Sequence, residues 1–369
     1  MTLRRKIRIS VLLLLILGYA AADFAFTHPP APHPAAVPAD PAKRMKAVVY
    51  YQYGSPDVLQ LVDVEKPIPA DNEVLIKVRA ASVNPYESHF MRGTPYLIRM
   101  LSGWRAPKNY RLGVDFAGTV VAIGKRVTRF KVGDEVFGGA DGALAQYVTL
   151  AEDDSLAPMP SNMSLEQAAA TPIAGITALQ ALRDKGQIHP SEKVLVNGAS
   201  GGVGTFAVQI AKSYGAEVTA VCSTRNLQMV RALGADHLID YTQEDFTRAG
   251  QQYDLIIDNV GGHSLLQYRH ALTHNGTLVI VGGSSGDPLL GALDGPIRAT
   301  LLKPFVSQNY VLLLADINKK GDLDNLRELM QQGKMTPVID RHYPLQQVAE
   351  AMRYLETGHA RGKVVIDIE

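Results

Sequence analysis

Between residues 46 and about 162 the chain sets short apolar runs against breaks rich in Gly and Pro, with runs at 47–51, 74–80, 118–123, 134–137 and 145–150. Runs of this length bounded by turn formers predict strands, and their succession predicts a compact, barrel-like β domain. At Ser164 the pattern changes: Gln167 completes a capping-box spacing, and the alanine-rich stretch that follows to about residue 184 predicts a helix. Strand candidates then recur at 193–197, 217–222, 237–239, 254–258, 277–281 and 310–315, most of them separated by helical stretches. Such alternation predicts an α/β, doubly wound parallel sheet. Further on, Asp322 is expected to cap a helix with Leu323, Leu326 and Met330 on one face and Gly333 as its stop. A second helix takes Pro344 in its first turn, carries Val348, Ala351, Met352 and Leu355 at i, i+3, i+4 and i+7, and ends at Gly358. The closing run 363–368 predicts a strand that returns to the N-terminal β domain.

The first 26 residues differ in kind. Arg4, Arg5, Lys6 and Arg8 precede an uncharged, almost wholly apolar run from Ile9 to Ala22. Its 14 residues fall short of the roughly 20 that span hydrocarbon, and Ala20-Ala21-Ala22 has the small-residue pattern of a cleavage site. Counted on to Phe26, past Asp23, the stretch reaches 18 residues, enough for a tilted anchor. Signal peptide and membrane anchor both remain open. The positive-inside rule would keep the basic end cytoplasmic and send the remainder outward. Residues 27–44 form a Pro/Ala-rich linker, and the folded unit is expected from about Met45.

Composition narrows the chemistry. The 369 residues allow two or three cores, and 37 basic against 36 acidic side chains leave a net charge of +1, which advertises no cationic surface for nucleic acid. A single Cys permits neither an internal disulfide nor a zinc site built from two thiolates of one chain. Cys222 reads as a small buried hydrophobe at a strand end.

The most specific local signal follows the run 194–196. Gly198, Ala199, Ser200, Gly201, Gly202, Val203 and Gly204 lead into a predicted helix, with glycines at 198, 201 and 204. Glycine at this spacing allows a tight turn, close approach of the backbone to a pyrophosphate and close helix packing, while free N–H groups at the helix start hold the anion. The strand before, the helix after and the next strand at 217–222 turn a weak motif into a strong one. An NAD site normally carries an acidic residue at the tip of that second strand. Here stand Ser223, Thr224, Arg225 and Asn226, whose hydroxyls and cation suit the 2′-phosphate of NADP(H). The competing reading makes Arg225 a solvated first-turn residue.

Several motifs occur together: Ala81-Ser82-Val83-Asn84-Pro85, the stretch from Leu112 to Gly118, the stretch from Phe130 to Gly138, Gly175-Ile176-Thr177-Ala178, the glycine loop, Asp258-Asn259-Val260-Gly261-Gly262, and Gly362-Lys363-Val364-Val365. In these the sequence resembles the medium-chain dehydrogenase/reductases, specifically their zinc-independent, quinone-oxidoreductase-like branch, over about 45–369. The resemblance implies a GroES-like β-barrel catalytic domain at 45–163 and 336–369, a Rossmann cofactor domain at 164–335, and a site in the cleft between them. Zinc-dependent relatives place Cys where this chain has Asn84 and a His-Glu pair where it has Val114-Asp115, so no metal site is expected. The resemblance further implies that Asn84 lines the substrate side of the nicotinamide pocket, with Tyr86, His89 and Tyr96 as nearby candidates. His89 departs from the tyrosine of some relatives. Thr177 matches a position near the nicotinamide, and Tyr241 one that stacks on adenine or touches the 2′-phosphate. Val260, Gly261, Gly282 and Gly283 lie at the carboxyl edge of the expected sheet, where open sheets bind ligands, although their glycines suit ordinary turns equally well.

The expectation is an NADPH-dependent, metal-independent oxidoreductase that transfers hydride to a quinone or an enone-type carbonyl, in a chain whose relatives are commonly homodimers. A broad NAD(P)-dependent alcohol or aldehyde dehydrogenase and a non-catalytic, membrane-tethered NADPH sensor are the alternatives.

Overall fold

The computed structural model describes residues 37–282 and 307–368. The N-terminal basic and apolar segment, linker residues 27–36 and Gly283 lie outside the described residues.

The chain enters through β1 (Arg44–Val49) and β2 (Gln60–Glu65), an antiparallel pair, and then β3 (Glu73–Val83), the longest strand. Two short helices follow, α1 (Pro85–Arg92) and α2 (Leu97–Ser102), before β4 (Asp115–Ile123), β5 (Glu135–Gly139), β6 (Tyr147–Ala151) and β7 (Leu156–Pro158). The stretch expected as a single helix after Ser164 is divided into α3 (Leu165–Ala169), α4 (Pro172–Gln180) and one π-helical turn (Ala181–Lys185). The capping box is present: the Gln167 amide donates to Ser164 Oγ at 3.2 Å and the Ser164 amide to Gln167 Oε1 at 3.0 Å. Pro172, with no N–H to continue the first helix, opens the second instead.

The alternating part consists of β8 (Lys193–Asn197), α5 (Gly202–Ser213), β9 (Glu217–Cys222), α6 (Leu227–Ala232), β10 (His237–Asp240), β11 (Tyr253–Asp258), α7 (Leu265–Ala271), β12 (Leu272–Ile280), β13 (Asn309–Leu312) and α8 (Asp322–Gln331). The chain closes with β14 (Ile339–Pro344), α9 (Val348–Glu356) and β15 (Lys363–Asp367). Two end assignments change. Asp322 is not the cap of α8 but its first residue, after Gly321 in a left-handed conformation, and its buried carboxylate accepts from Gln180 Nε2 at 2.8 Å and pairs with Arg183 at 2.7 Å. Pro344 ends β14, and a 3₁₀ turn separates it from α9.

The strands from β8 to β13 form one six-stranded sheet in the order β10-β9-β8-β11-β12-β13, every pair parallel. Strand order reverses direction between β8 and β11, which places a crevice at their carboxyl ends. A second sheet runs β14-β15-β3-β4-β5-β7, with β6 also paired to β3. In it β15 lies antiparallel on β3, with Val364 opposite Val83 and Val365 opposite Ser82. The two halves share one apolar core: Ala80, Ala117, Phe137 and Val365 of the β domain pack in the same cluster as Ile176, Leu179, Val196, Phe206 and Leu326. Among the described residues no helix is long and apolar enough to cross a membrane.

Candidate active site

The glycine loop sits at the crevice where it was expected. Gly198 has φ +75°, a conformation that side chains rarely adopt, and a Cβ there would meet Val260 Cγ2 at 2.5 Å. A Cβ at Gly204 would lie 2.1 Å from the Gly198 carbonyl, so helix and strand can approach only with glycine at this point. At Gly201 the nearest atom to such a Cβ is 3.5 Å away. The outer face of the loop is therefore open, and the loop opens the twelve-residue helix α5. Free N–H groups there, an open backbone face and the helix dipole fit a pyrophosphate. Ala199 is buried, whereas Ser200 and Val203 are half-buried around the turn.

The tip of β9 is tied to this loop. Asn226 Nδ2 donates to Ser200 Oγ at 3.0 Å and to Ser223 Oγ at 3.2 Å, while its Oδ1 is buried without a protein partner. Arg225 is exposed, and its guanidinium donates to the His359 carbonyl at 3.0 Å. Sequence reasoning missed a carboxylate in this region, because the neighbouring strand supplies it. Asp240, opposite Cys222 in the register, accepts from the hydroxyls of Thr224 and Thr242, and these bonds hold its carboxyl below the usual range. Tyr241, 60% exposed, follows Asp240 directly.

On the other side of the crevice Asp258 organises the edge. Its Oδ1 accepts from Asn197 Nδ2 at 2.9 Å and from the amides of Val260 and Gly261, and its Oδ2 accepts from the Tyr268 hydroxyl at 2.6 Å. Gly261 has φ +77°. The Gly282 amide donates to the Asp258 carbonyl at 3.3 Å. Val260, Gly261 and Gly282 thus share the loop edge facing the glycine loop.

The β domain contributes a buried polar cluster centred on Asp115. Its Oδ1 accepts from the Ile173 amide at the start of α4, 2.9 Å away. Its Oδ2 accepts from Ser82 Oγ at 2.8 Å, Asn84 Nδ2 at 3.0 Å and Lys363 Nζ at 3.1 Å. Lys363 Nζ also donates to Asn84 Oδ1. Both ends of the Asn84 amide are therefore engaged, one by a carboxylate and one by an ammonium. Next to them, the Asn84 backbone N–H donates to Glu87 Oε2 at 2.8 Å, while Glu87 Oε1 is buried and unpartnered. Burial first, and the Asp115 charge second, push the Glu87 carboxyl up to about 8.

Asn84 is the residue before α1, and Glu87 and Met91, at i and i+4, form the buried face of that helix. Tyr86 and His89, at i and i+3, share the outer face. The Tyr86 ring packs on Phe90 with centroids 4.4 Å apart, and burial with nearby Asp141 and Glu87 pushes its hydroxyl up to about 12. His89 is exposed, with Nδ1 held 3.0 Å from the Thr94 carbonyl. Tyr96 lies beside Arg99, whose guanidinium is 5.0 Å from its ring centre and 4.6 Å from that of Tyr53. Thr177 is buried midway along α4. Glu87 was not named from the sequence, and Lys363 and Asp258 stood there only within motifs, with no role of their own. The Asn84-to-Glu87 spacing of a capping box, and a lysine directly ahead of the apolar run Val364–Ile366, were the available signals.

Two family models match the chain: "Alcohol dehydrogenase GroES-like domain" over residues 70–161 and "Zinc-binding dehydrogenase" over residues 233–366. The residues present do not fit zinc. Asn84 and Asp115 are joined to an ammonium, and among the described residues no group of three or more His, Cys, Asp or Glu is arranged to hold a metal ion. The chain is 35% identical to the human "NAD(P)H oxidoreductase RTN4IP1, mitochondrial", covering 88% of this chain and 89% of that one. It is 35% identical to the "NADPH-dependent alkenal/one oxidoreductase, chloroplastic" of Arabidopsis thaliana, with coverage of 88% and 80%. Among solved structures, the quinone oxidoreductase of Coxiella burnetii superposes with a TM-score of 0.76 at 33% identity, over 89% of this chain and all of that one. The Escherichia coli quinone oxidoreductase complexed with NADPH superposes with a TM-score of 0.74 at 25% identity, over 87% and 99%.

Proposed function

Since the chain belongs to the medium-chain dehydrogenase/reductase superfamily, in its quinone-oxidoreductase branch, we propose that it is an NADPH-dependent oxidoreductase reducing quinones or conjugated, enone-type carbonyls without a metal. The observation that carries this reading is the cleft itself: an open glycine loop beside a polar cluster in which an ammonium joins Asn84 to Asp115. Relatives named as a quinone oxidoreductase complexed with NADPH and as an NADPH-dependent alkenal/one oxidoreductase support both the cofactor and the substrate class.

NADPH bound along the glycine loop would supply the hydride. The residues of the chain bind and orient: the loop amides hold the pyrophosphate, Arg225 and Ser223 take the 2′-phosphate, Tyr241 covers the adenine, and Thr177, Val260, Gly261 and Gly282 flank the nicotinamide end. Asn84 retains one N–H and one lone pair beyond its two bonds, which suits a carboxamide or a developing oxyanion. A quinol or enol oxygen then needs a proton. His89 fits this task better than Tyr86, whose hydroxyl is held against ionisation, because the Thr94 carbonyl fixes Nδ1 as a donor and leaves the Nε2 lone pair to take a proton from water and pass it to that oxygen. Tyr96 is assigned to packing around Arg99.

The proposed domain limits are 45–163 with 336–369 for the catalytic part and 164–335 for the cofactor part. The segment ahead of Met45 is proposed as a targeting or tethering element. Relatives named mitochondrial and chloroplastic favour an organellar address over export, which would also keep the chain beside an NADPH supply. Sequencing the N-terminus of the mature chain, with fractionation, separates a cleaved segment from an anchor. NADPH consumption with a panel of quinones and enones tests the activity, and nucleotide binding without turnover of any of them would leave the sensor reading in its place.

A further inference from the structure

Lys363 is a buried cation to which neither its sequence position nor the reaction assigned a task. It is 3% exposed, and its backbone follows directly on Gly362, which forms a parallel bridge with Gly201 of the glycine loop. Its stem lies along that loop, so that a Cβ at Gly202 would sit 3.4 Å from Lys363 Cδ. Its ammonium reaches across to Asn84 Oδ1 and Asp115 Oδ2. One side chain thus touches the backbone expected to hold the pyrophosphate and the amide expected to face the nicotinamide.

The neighbouring charges explain why the group must be cationic. Asp115 accepts four hydrogen bonds, from Ser82, Asn84, Ile173 and Lys363, of which only the last brings a charge. Glu87, pushed up by burial, is mostly protonated at neutral pH and adds little. Lysine and aspartate therefore neutralise one another. A carboxylate is an obligatory acceptor and an ammonium an obligatory donor, so together they permit only one orientation of the Asn84 amide. We propose that Lys363 is a positioning residue: it fixes the orientation of the Asn84 amide and couples it to the glycine loop, so that the part of the site facing the nicotinamide is set by the same side chain that braces the nucleotide loop. This rests on the reading of Asn84 as a residue of the nicotinamide pocket.

A structural and a positioning role separate in a double variant. Lys363→Met alone strands the Asp115 charge, and the melting temperature is expected to fall by about 10 °C. Lys363→Met with Asp115→Asn removes both charges and should recover most of that loss. In the double variant, however, a neutral amide at 115 can donate as well as accept, and the Asn84 amide is free to flip. Expected for it are a dissociation constant for NADPH within about threefold of the wild type, because methionine keeps an apolar stem along Gly202, a kcat lowered by about tenfold or more, and a changed emission maximum of bound NADPH. A double variant that regains wild-type stability together with wild-type kcat and emission would reduce Lys363 to charge balance and overturn the proposal. If the wild-type protein binds NADPH but reduces no quinone or enone, the functional reading fails, and the emission comparison alone still decides the role of Lys363.

Discussion

Glu87 shows how much a single side chain can carry that its residue type conceals. Its folded-state pKa, about 8, lies above its ordinary value near 4.5 because burial disfavours the charge. The stability associated with the protonated form is full below pH 4.5 and is lost as pH rises through about 8. Glu87→Gln keeps an acceptor for the Asn84 backbone N–H and cannot ionise. Thermal melts from pH 5 to 9 should accordingly show the variant gaining on the wild type as pH rises, by a few kcal/mol at most. Equal pH dependence would mean that Glu87 is charged in the fold. His89 invites a second test at this scale. His89→Gln should lower kcat by about 100-fold, whereas Tyr86→Phe should change kcat less than about twofold. At the far end of the cleft, Arg225→Ala should raise the KM for NADPH about tenfold and leave that for NADH nearly unchanged. Asp240 makes this a demanding test, since a carboxylate engaged by two threonines stands beside the same tip.

Elements were legible in the sequence where their cause is local. The glycine loop was placed because a strand, three spaced glycines and a helix have one joint explanation, and Gly204→Val should abolish nucleotide binding in a direct titration, its Cβ falling 2.1 Å from the Gly198 carbonyl. Ser164 and Gln167 were readable for the same reason, and Ser164→Ala should cost about 1 kcal/mol in a denaturant melt. Local pattern failed where a distant partner decides. Asp322 looked like a cap because its residue type favours caps, yet Gln180 and Arg183 from another helix draw it inside as the first helical residue. The alanine-rich stretch after Ser164 has helical composition throughout, and the missing N–H of Pro172 divides α3 from α4. Asp240 reached the nucleotide tip through a strand pairing that no spacing encodes.

At the scale of the molecule, the return of β15 onto β3 brings residues 363 and 84 together across nearly the whole folded chain. That closure places Lys363 between the two halves, which already share a core, and makes the cleft a property of both. The likeness to a known family pointed to the cleft and to Asn84, while the ammonium that holds Asn84 emerged only from the three-dimensional pairing. Assignment as an NADPH-dependent, metal-independent reductase is tested most directly by consumption of NADPH, and of NADH in parallel, by the purified protein with a panel of quinones and enones, with and without a chelator. It predicts turnover of at least one of these substrates, a kcat/KM at least about tenfold higher with NADPH than with NADH, and no loss of activity to the chelator. Activity abolished by the chelator and restored by zinc, or NADPH bound without turnover of any acceptor, would contradict it.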